Sequence, residues 1–393
     1  MSTVPVLRLR RGRGERLRAG HPWVYRGEVL EEPSAAVPGG IVDVLDQAGR
    51  FLGRGYYNPV SQICCRLLTR AREEIGVSFF ARRLSEAAAL RRRFAPDREA
   101  IRLVYSEADS LPGLIVDRYG DCLVAQFLTL GMDVRREEIV SLLAAEFMPR
   151  AILERSEAGV RRHEGLGPRA GACYGEVPDE VVVADESLRF LVDLAGGQKT
   201  GHFLDQRDNR LAAAAYAAGR RVLDCFCHTG MFGVAAACRG AAQVIGVDID
   251  ADALDLAGRN AALNGVSSVF GVKQANAFDF LRAAVEEGDR YEMIILDPPA
   301  FTKSKLRLEQ ALRGYKEINL RAMRLLGPGG ILVTCSCSHH VNQALFEEML
   351  MSAAADANRR VRLLERRGQA PDHPVLLGVP ETEYLKCLIL EIL

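Results

Sequence analysis

Over residues 1–72 hydrophobic and polar positions alternate in short runs. VPVLRLR (4–10), GGIVDVLDQAGRFLGRGYYN (39–58) and SQICCRLLTR (61–70) have the period of two that predicts strands, broken by Gly, Pro and Asn. The pattern predicts a small β-barrel. The spacing then changes. VSFFARRLSEAAALRRRF (77–94) places its apolar residues at helical intervals, which predicts a helix within 76–100. RLVYSE (102–107) and LPGLIVDRYGDCLVAQFLTL (111–130) predict strands, the second a hairpin turning at Tyr119-Gly120-Asp121. A helix near 133–147 and a strand at RAILERS (150–156) complete an α+β segment ending near 190. From about 196 strands alternate with helices. RVLDCF, AQVIGVDI, SVFGVKQ, EMIILD and GILVTCS lead to VRLLER and YLKCLILEIL, the βαβ arithmetic of a mostly parallel, doubly wound α/β sheet. The expected domains are 1–74, 75–190 and 191–393.

Composition adds limits. The 393 residues are 48% hydrophobic and 26% charged, ordinary for a globular chain. No apolar run reaches the roughly 18 residues of a membrane span, and no apolar segment follows the basic N-terminus as in a signal peptide, so the expected location is the cytoplasm. Ten cysteines without paired C-x-x-C spacing read as reduced thiols, with no metal assigned. Acidic and basic residues balance, yet residues 1–28 carry seven arginines against Glu15 and Glu28, a net of +5. Such a patch beside Trp23 and Tyr25 suits a nucleic acid backbone and unstacked bases. The same residues equally describe a solvated surface and core aromatics.

Ligands of such sheets lie beyond the carboxyl ends of the strands, and those ends are chemically dense. The first carries Asp224, then Thr229, Gly230 and Gly233 in a turn into a helix. This is not G-x-G-x-x-G, so a dinucleotide fingerprint is excluded. The two glycines predict close approach of a ligand to the backbone. Asp248 and Ile249 end the second strand, 24 residues after Asp224; an acid there suits two ribose hydroxyls. Asp250 reads as a helix cap. Asn276, Ala277 and Phe278 follow the third strand: an amide for an adenine edge and an apolar wall. Asp297-Pro298-Pro299 ends the fourth with a rigid loop. Cys335 and Cys337 end the fifth, where a thiol near Asp297 is a candidate nucleophile. Upstream, GGQKTGHFLDQRDNR (196–210) gathers Gln198, Lys199, Thr200, Phe203, Asp205 and Arg207 where a helix begins, a favourable anion site.

These stretches resemble the bacterial ribosomal RNA large subunit methyltransferase I family, which makes 5-methylcytosine in 23S rRNA. The resemblance runs nearly end to end, through HPWVYRGEV (21–29), YYNPVSQI (56–63), EADSLPGLIVDRYGD (107–121), ERSEAGVRRHEG (154–165), GGQKTGHFLDQRDNR, LDPPAF, RGYKEINL (313–320) and TCSCS. It implies a PUA-like N-terminal domain, a central domain and a C-terminal Rossmann-like class I methyltransferase domain. The implied cofactor is S-adenosyl-L-methionine, with the 196–210 segment clamping its methionine end and Gln198, Lys199, Thr200, Phe203, Asp205, Arg207, Asp224, Thr229, Gly230, Asp248, Ile249, Asn276, Ala277 and Asp297 around it. Cys337, between Ser336 and Ser338, takes the nucleophile's place, with Asp297 as its catalytic partner. The implied partner is ribosomal RNA, 23S or a large-subunit precursor, without a membrane and with a homodimer left open. The chain departs from the family at Cys227, His228 and Met231, at Asn276 for an Asp, at Ala300 for a Lys, and in the extra thiol Cys335. A guanine or exocyclic-amine methyltransferase on the same fold, and a non-catalytic RNA-binding factor, are the alternatives.

Overall fold

The computed structural model describes residues 4–34, 36–194, 196–197, 200–302 and 305–393. The chain divides into two compact units: Met1–Asp185 with Val192–Leu204 and Pro371–Thr382, and Glu186–Leu191 with Asp205–Ala370 and Glu383–Leu393.

In the first unit β1 (Val6–Leu9), β2 (Trp23–Tyr25), β3 (Val29–Glu31), β4 (Ile41–Leu45), β5 (Phe51–Tyr57) and β6 (Ile63–Thr69) form one sheet in the order β2-β6-β5-β4-β1-β3, with a short helix α1 (Glu15–Arg18). It stands where the small barrel is expected. Its strands bury Leu7, Leu9, Val24, Val42, Val44 and Leu67. Next come helix α2 (Val77–Phe94) and strands β7 (Ala100–Tyr105), β8 (Leu114–Tyr119) and β9 (Cys122–Phe127). Helices α3 (Leu130–Asp133) and α4 (Arg136–Phe147) and strands β10 (Ala151–Ser156) and β11 (Arg169–Gly175) follow. The five strands pair in the order β11-β10-β9-β8-β7. The β8–β9 turn falls at Gly120 and Asp121, where Gly120 has φ 60. Tyr56 of β5 reaches into the core of this second layer, and its hydroxyl donates to Pro112 O (2.8 Å) and Thr129 Oγ1 (2.9 Å). Strands β12 (Glu180–Asp185) and β13 (Leu188–Asp193) close the central segment. The boundary drawn at 74/75 falls between β6 and α2, and that at 190/191 falls inside β13.

The second unit is the alternating region. It comprises helix α5 (Arg207–Ala214), β14 (Arg221–Cys225), α6 (Met231–Cys238), β15 (Gln243–Asp248), α7 (Ala251–Leu263), β16 (Phe270–Gln274) and α8 (Ala277–Glu287). It continues through β17 (Tyr291–Leu296), α9 (Leu308–Leu325), β18 (Leu326–Ser336), α10 (Gln343–Asp356), β19 (Val361–Arg367) and β20 (Lys386–Ile392). The strand order is β16-β15-β14-β17-β18-β20-β19, parallel through β18, with β20 antiparallel to both neighbours. Helices cover a core of Leu223, Val247, Ile294, Leu296, Leu332, Leu388 and Leu390, which is why these strands read as continuous apolar runs. Asp250 caps α7, accepting from the N–H groups of Asp252 and Ala253. Chain order reverses between β14 and β17, so the flanking connections diverge and leave a crevice at the strand ends. Among the described residues no helix is long and apolar enough to cross a membrane.

Gly131 in α3 exists for Tyr56: a Cβ there would lie 2.0 Å from the ring's Cγ. Gly131→Ala should therefore cost about 1–3 kcal/mol through overpacking, read as a lower denaturant midpoint with an unchanged slope.

Candidate functional site

In the second unit β17 and β18 pair in parallel, Leu296 opposite Thr334. Three residues further on, Cys337 stands beside the loop that begins at Asp297, its Sγ 4.0 Å from the Pro298 carbonyl oxygen. The two sulfurs near this end differ. Cys335 is fully buried beside Cys387, and burial pushes its thiol well above the usual range. Cys337 lies past the strand and is half-buried.

Asp297 is held from behind. Gln206 Nε2 donates to its Oδ1 at 2.8 Å. Asn209 Nδ2 donates to Gln206 Oε1 (2.7 Å), and Arg367 Nε donates to Asn209 Oδ1 (3.1 Å). This relay fixes which face Gln206 turns to the carboxylate. Sequence reasoning misses both Gln206 and Asn209, although they sit one helical turn apart inside DQRDN. Asp205 and Arg207, the expected charges of that segment, are both buried. Asp205 Oδ2 accepts from the Tyr384 hydroxyl and Arg207 Nε contacts Asp208 Oδ1 at 3.2 Å. Gln198 and Lys199 lie outside the described residues.

Thr200 and Phe203 belong to the first unit. Thr200 is buried there, its hydroxyl donating to Asp117 Oδ2 at 2.5 Å, and Phe203 is half-buried. Two of the conspicuous central stretches grip this segment. Arg155 of ERSEAG donates to the carbonyls of Leu194 and Gly197, both at 2.9 Å, and the Tyr119 hydroxyl of LIVDRYGD contacts Thr200 Oγ1.

At the end of β14 the backbone turns through two non-glycine residues of positive φ, Phe226 (60) and His228 (49). Such conformations persist where the surroundings impose them. Here Asp248 Oδ2 accepts the His228 N–H at 2.8 Å, while Oδ1 accepts from Ile249 (2.7 Å) and Asp250 (3.1 Å). Asp248 thus holds the turn together and, with about four acceptor positions on a carboxylate, keeps capacity for hydroxyls. Ile249 beside it is 66% exposed, unusual for an isoleucine. Thr229 is buried, its carbonyl accepting from Asn260 Nδ2. The glycines have another reason than close ligand approach. A Cβ on Gly230 would meet Ala257 at 2.8 Å and one on Gly233 would meet Phe270 at 2.8 Å, and Gly230 has φ 76. They let α6 pack on its neighbours.

Asn276 caps α8 by accepting the Phe278 N–H at 2.9 Å; it is exposed, and Ala277 behind it is buried. Phe278 joins an aromatic series: Phe226–Phe278 6.2 Å, Phe278–Phe301 5.6 Å and Phe301–Tyr315 4.5 Å between ring centres. Tyr315, from RGYKEINL, hydrogen-bonds Ser338 Oγ at 3.0 Å. The series thus runs from Phe301, four residues after Asp297, to Tyr315, which bonds the neighbour of Cys337. Among the described residues no group of three His, Cys, Asp or Glu side chains is arranged to hold a metal.

Asp224 is buried inside β14. Burial pushes its carboxyl up to about 8 despite the Gly233 N–H on Oδ2, with the charges of Asp297 and Asp248 adding to the rise and Arg210 opposing it. Its Oδ1 has no hydrogen-bond partner among the described residues.

Known proteins resemble the chain over its whole length. A family model described as S-adenosylmethionine-dependent methyltransferase matches residues 169–390, and one described as a PUA-like domain matches residues 7–70. The chain is 44% identical to the ribosomal RNA large subunit methyltransferase I of Tolumonas auensis, over 99% of each chain. It is 43% identical to the protein of that name from Aeromonas hydrophila, over 96% of this chain and 97% of the relative. Among solved structures, a chain described as a SAM-dependent methyltransferase from Streptococcus mutans superposes with a TM-score of 0.85 at 22% identity, covering 99% and 100% of the two chains. The tRNA m1G37 methyltransferase of M. jannaschii gives 0.51 at 17%, covering 79% and 78%. At these identities both speak for the fold.

A carboxyl raised in this way binds a proton in the folded chain that the unfolded chain releases above about 4. The stability it lends is complete below that value and is lost as pH rises through about 8. Asp224→Asn, which imitates the protonated form, should match the parent's denaturant midpoint near the bottom of this window and exceed it increasingly toward the top.

Proposed function

The chain belongs to the ribosomal RNA large subunit methyltransferase I family, and from that premise we propose that this S-adenosylmethionine-dependent rRNA methyltransferase forms 5-methylcytosine in 23S rRNA through a covalent adduct at Cys337. The observation that carries the reading is the half-buried Cys337 sulfur beside the Asp297-Pro298-Pro299 loop, with Asp297 fixed by Gln206. An exocyclic amine or a guanine target needs no thiol at this place.

The residues present fit the cofactor. Asp248 suits the ribose hydroxyls, the exposed Ile249 and the Phe278 ring suit the faces of an adenine, and Asn276 suits its edge. Asp224, in the last residues of β14, has a buried oxygen without a hydrogen-bond partner among the described residues. By sequence the 196–210 segment, with Gln198, Lys199, Thr200, Phe203, Asp205 and Arg207, suits the methionine end, and Thr229, Gly230 and Ala277 are further cofactor candidates. S-adenosylmethionine supplies an electrophilic methyl group when bound.

Carbon-5 of cytosine is too weak a nucleophile alone. Cys337, as thiolate, bonds to carbon-6, and the ring electron pair it displaces makes carbon-5 enamine-like. Asp297 hydrogen-bonds the ring near N3 and stabilises the charge of the adduct. Once carbon-5 carries the methyl group, its proton passes to a base, the electron pair re-forms the ring double bond, and Cys337 leaves as thiolate. The target base reaches this site flipped out or unpaired. In the first unit Arg11, Arg13 and Arg18 are exposed and make no ion pair among the described residues, so they suit RNA phosphates.

Nucleoside mass spectrometry of 23S rRNA from cells with and without the protein tests the product: loss of one 5-methylcytosine is expected, and loss of a methylguanine instead would overturn the reading. Cys337→Ala should abolish methylation while calorimetry shows unchanged cofactor binding. Replacing Arg11, Arg13 and Arg18 together by alanine should weaken RNA binding and lower the slope of log affinity against log salt by about 2, since each single-strand phosphate that a cation neutralises contributes about 0.7.

A further inference from the structure

Lys386 opens β20, where it faces Ser336 across the antiparallel ladder. The side chain is buried, with 6% of the residue exposed. Its Nζ donates to the carbonyl oxygens of Ser338 (2.8 Å) and Tyr384 (2.6 Å). Those two carbonyls bracket Cys337: Ser338 follows it in the chain, and Tyr384 enters the strand beside it. No carboxylate forms an ion pair with Lys386 among the described residues. A buried ammonium without a counter-charge is costly, and burial pushes this one down to about 8. Two groups act against that fall, Cys337 first and Glu383 second. Glu383 is exposed, so solvent screens it. Other titratable groups nearby are His339, whose ring lies 5.6 Å from that of Tyr384, Tyr315 on the Ser338 hydroxyl, and the buried Cys335 and Cys387. Of the groups around Cys337, Asp297 carries the negative charge, engaged at Oδ1 by Gln206; these others bring none.

We propose that Lys386 is a positioning residue of the methyl-transfer site, its ammonium pinned by two carbonyls as the counter-ion of the Cys337 thiolate. The proposal rests on the reading of Cys337 as nucleophile. Lys386 does not touch the substrate and keeps its proton throughout: the thiol proton leaves to solvent, and the sulfur is held charged until it bonds carbon-6. When the adduct collapses, the thiolate returns to the same cation. The carbonyl contacts also fix the peptide after Cys337, which sets where the sulfur points.

The test is the rate of alkylation of Cys337 by iodoacetamide across pH, read peptide by peptide by mass spectrometry in the full chain. In the parent, the midpoint for Cys337 should lie below the free-thiol value of about 8.5. In Lys386→Met it should rise by about one unit, slowing alkylation roughly tenfold at neutral pH, with cofactor affinity unchanged by calorimetry. Lys386→Arg should restore most of the parent profile. Identical profiles in the parent and Lys386→Met would overturn the proposal, as would a parent midpoint at or above the free-thiol value. If Lys386→Met no longer binds cofactor, the parent midpoint and Lys386→Arg decide. Methylation by Cys337→Ala would remove the nucleophile itself, and the alkylation comparison would still report whether the charge pair exists.

Discussion

The second unit depends on one alignment, the parallel pairing of β17 with β18. It brings two strand ends to the same edge of the sheet, and with them a carboxylate and a sulfur about 40 positions apart in the chain. The register is hard to change. A slip by one residue would exchange the two buried faces, trading Leu296 for Ile295 and Leu332 for Val333 in close-packed surroundings, and would part the two strand ends. Position at the site is thus secured by apolar packing a few residues away. The prolines after Asp297 fix the backbone where the loop begins, and Phe301 packs into the aromatic series from Phe226 to Tyr315.

Much of this is legible in the sequence. All seven strands of the second unit follow from their apolar runs, and the acids and cysteines at their ends follow from asking where such sheets expose chemistry. Gln206, Asn209 and Lys386 are not legible, for a topological reason. Lys386 matters because the neighbour of β18 is β20, inserted antiparallel before β19, and Gln206 and Asn209 matter because the start of α5 meets the end of β17, far away in the chain. Strand periodicity says nothing of neighbour order. The glycines carry a second meaning that strand and turn patterns do not show: a side chain at Gly230 or Gly233 would meet Ala257 or Phe270. Asn276 likewise spends its oxygen on a helix cap, a local use that competes with any ligand for the same atom.

The first unit shows how a sequence resemblance can rest on residues that hold the fold together. Asn58 and Ser61 of YYNPVSQI both bind Glu164 of RRHEG, and Arg155 and Asp117 tie down the segment entering the clamp. The first pair of contacts joins stretches about a hundred residues apart in a buried polar network. Each member is satisfied only when the others are in place, so such stretches behave as locks on the fold.

The chain's single tryptophan carries a practical consequence. Trp23 is half-buried in the first unit, its Nε1 donating to Glu107 at 2.8 Å and the Arg66 guanidinium lying 5.8 Å over its ring. Indole emission therefore reports on one unit alone, from a setting of two charges that solvent would replace on unfolding. Far-ultraviolet dichroism reports the helices of both units, α2 and α4 of the first with α5 to α10 of the second. The two signals, followed through one melt, separate the cooperativity of the units without any label.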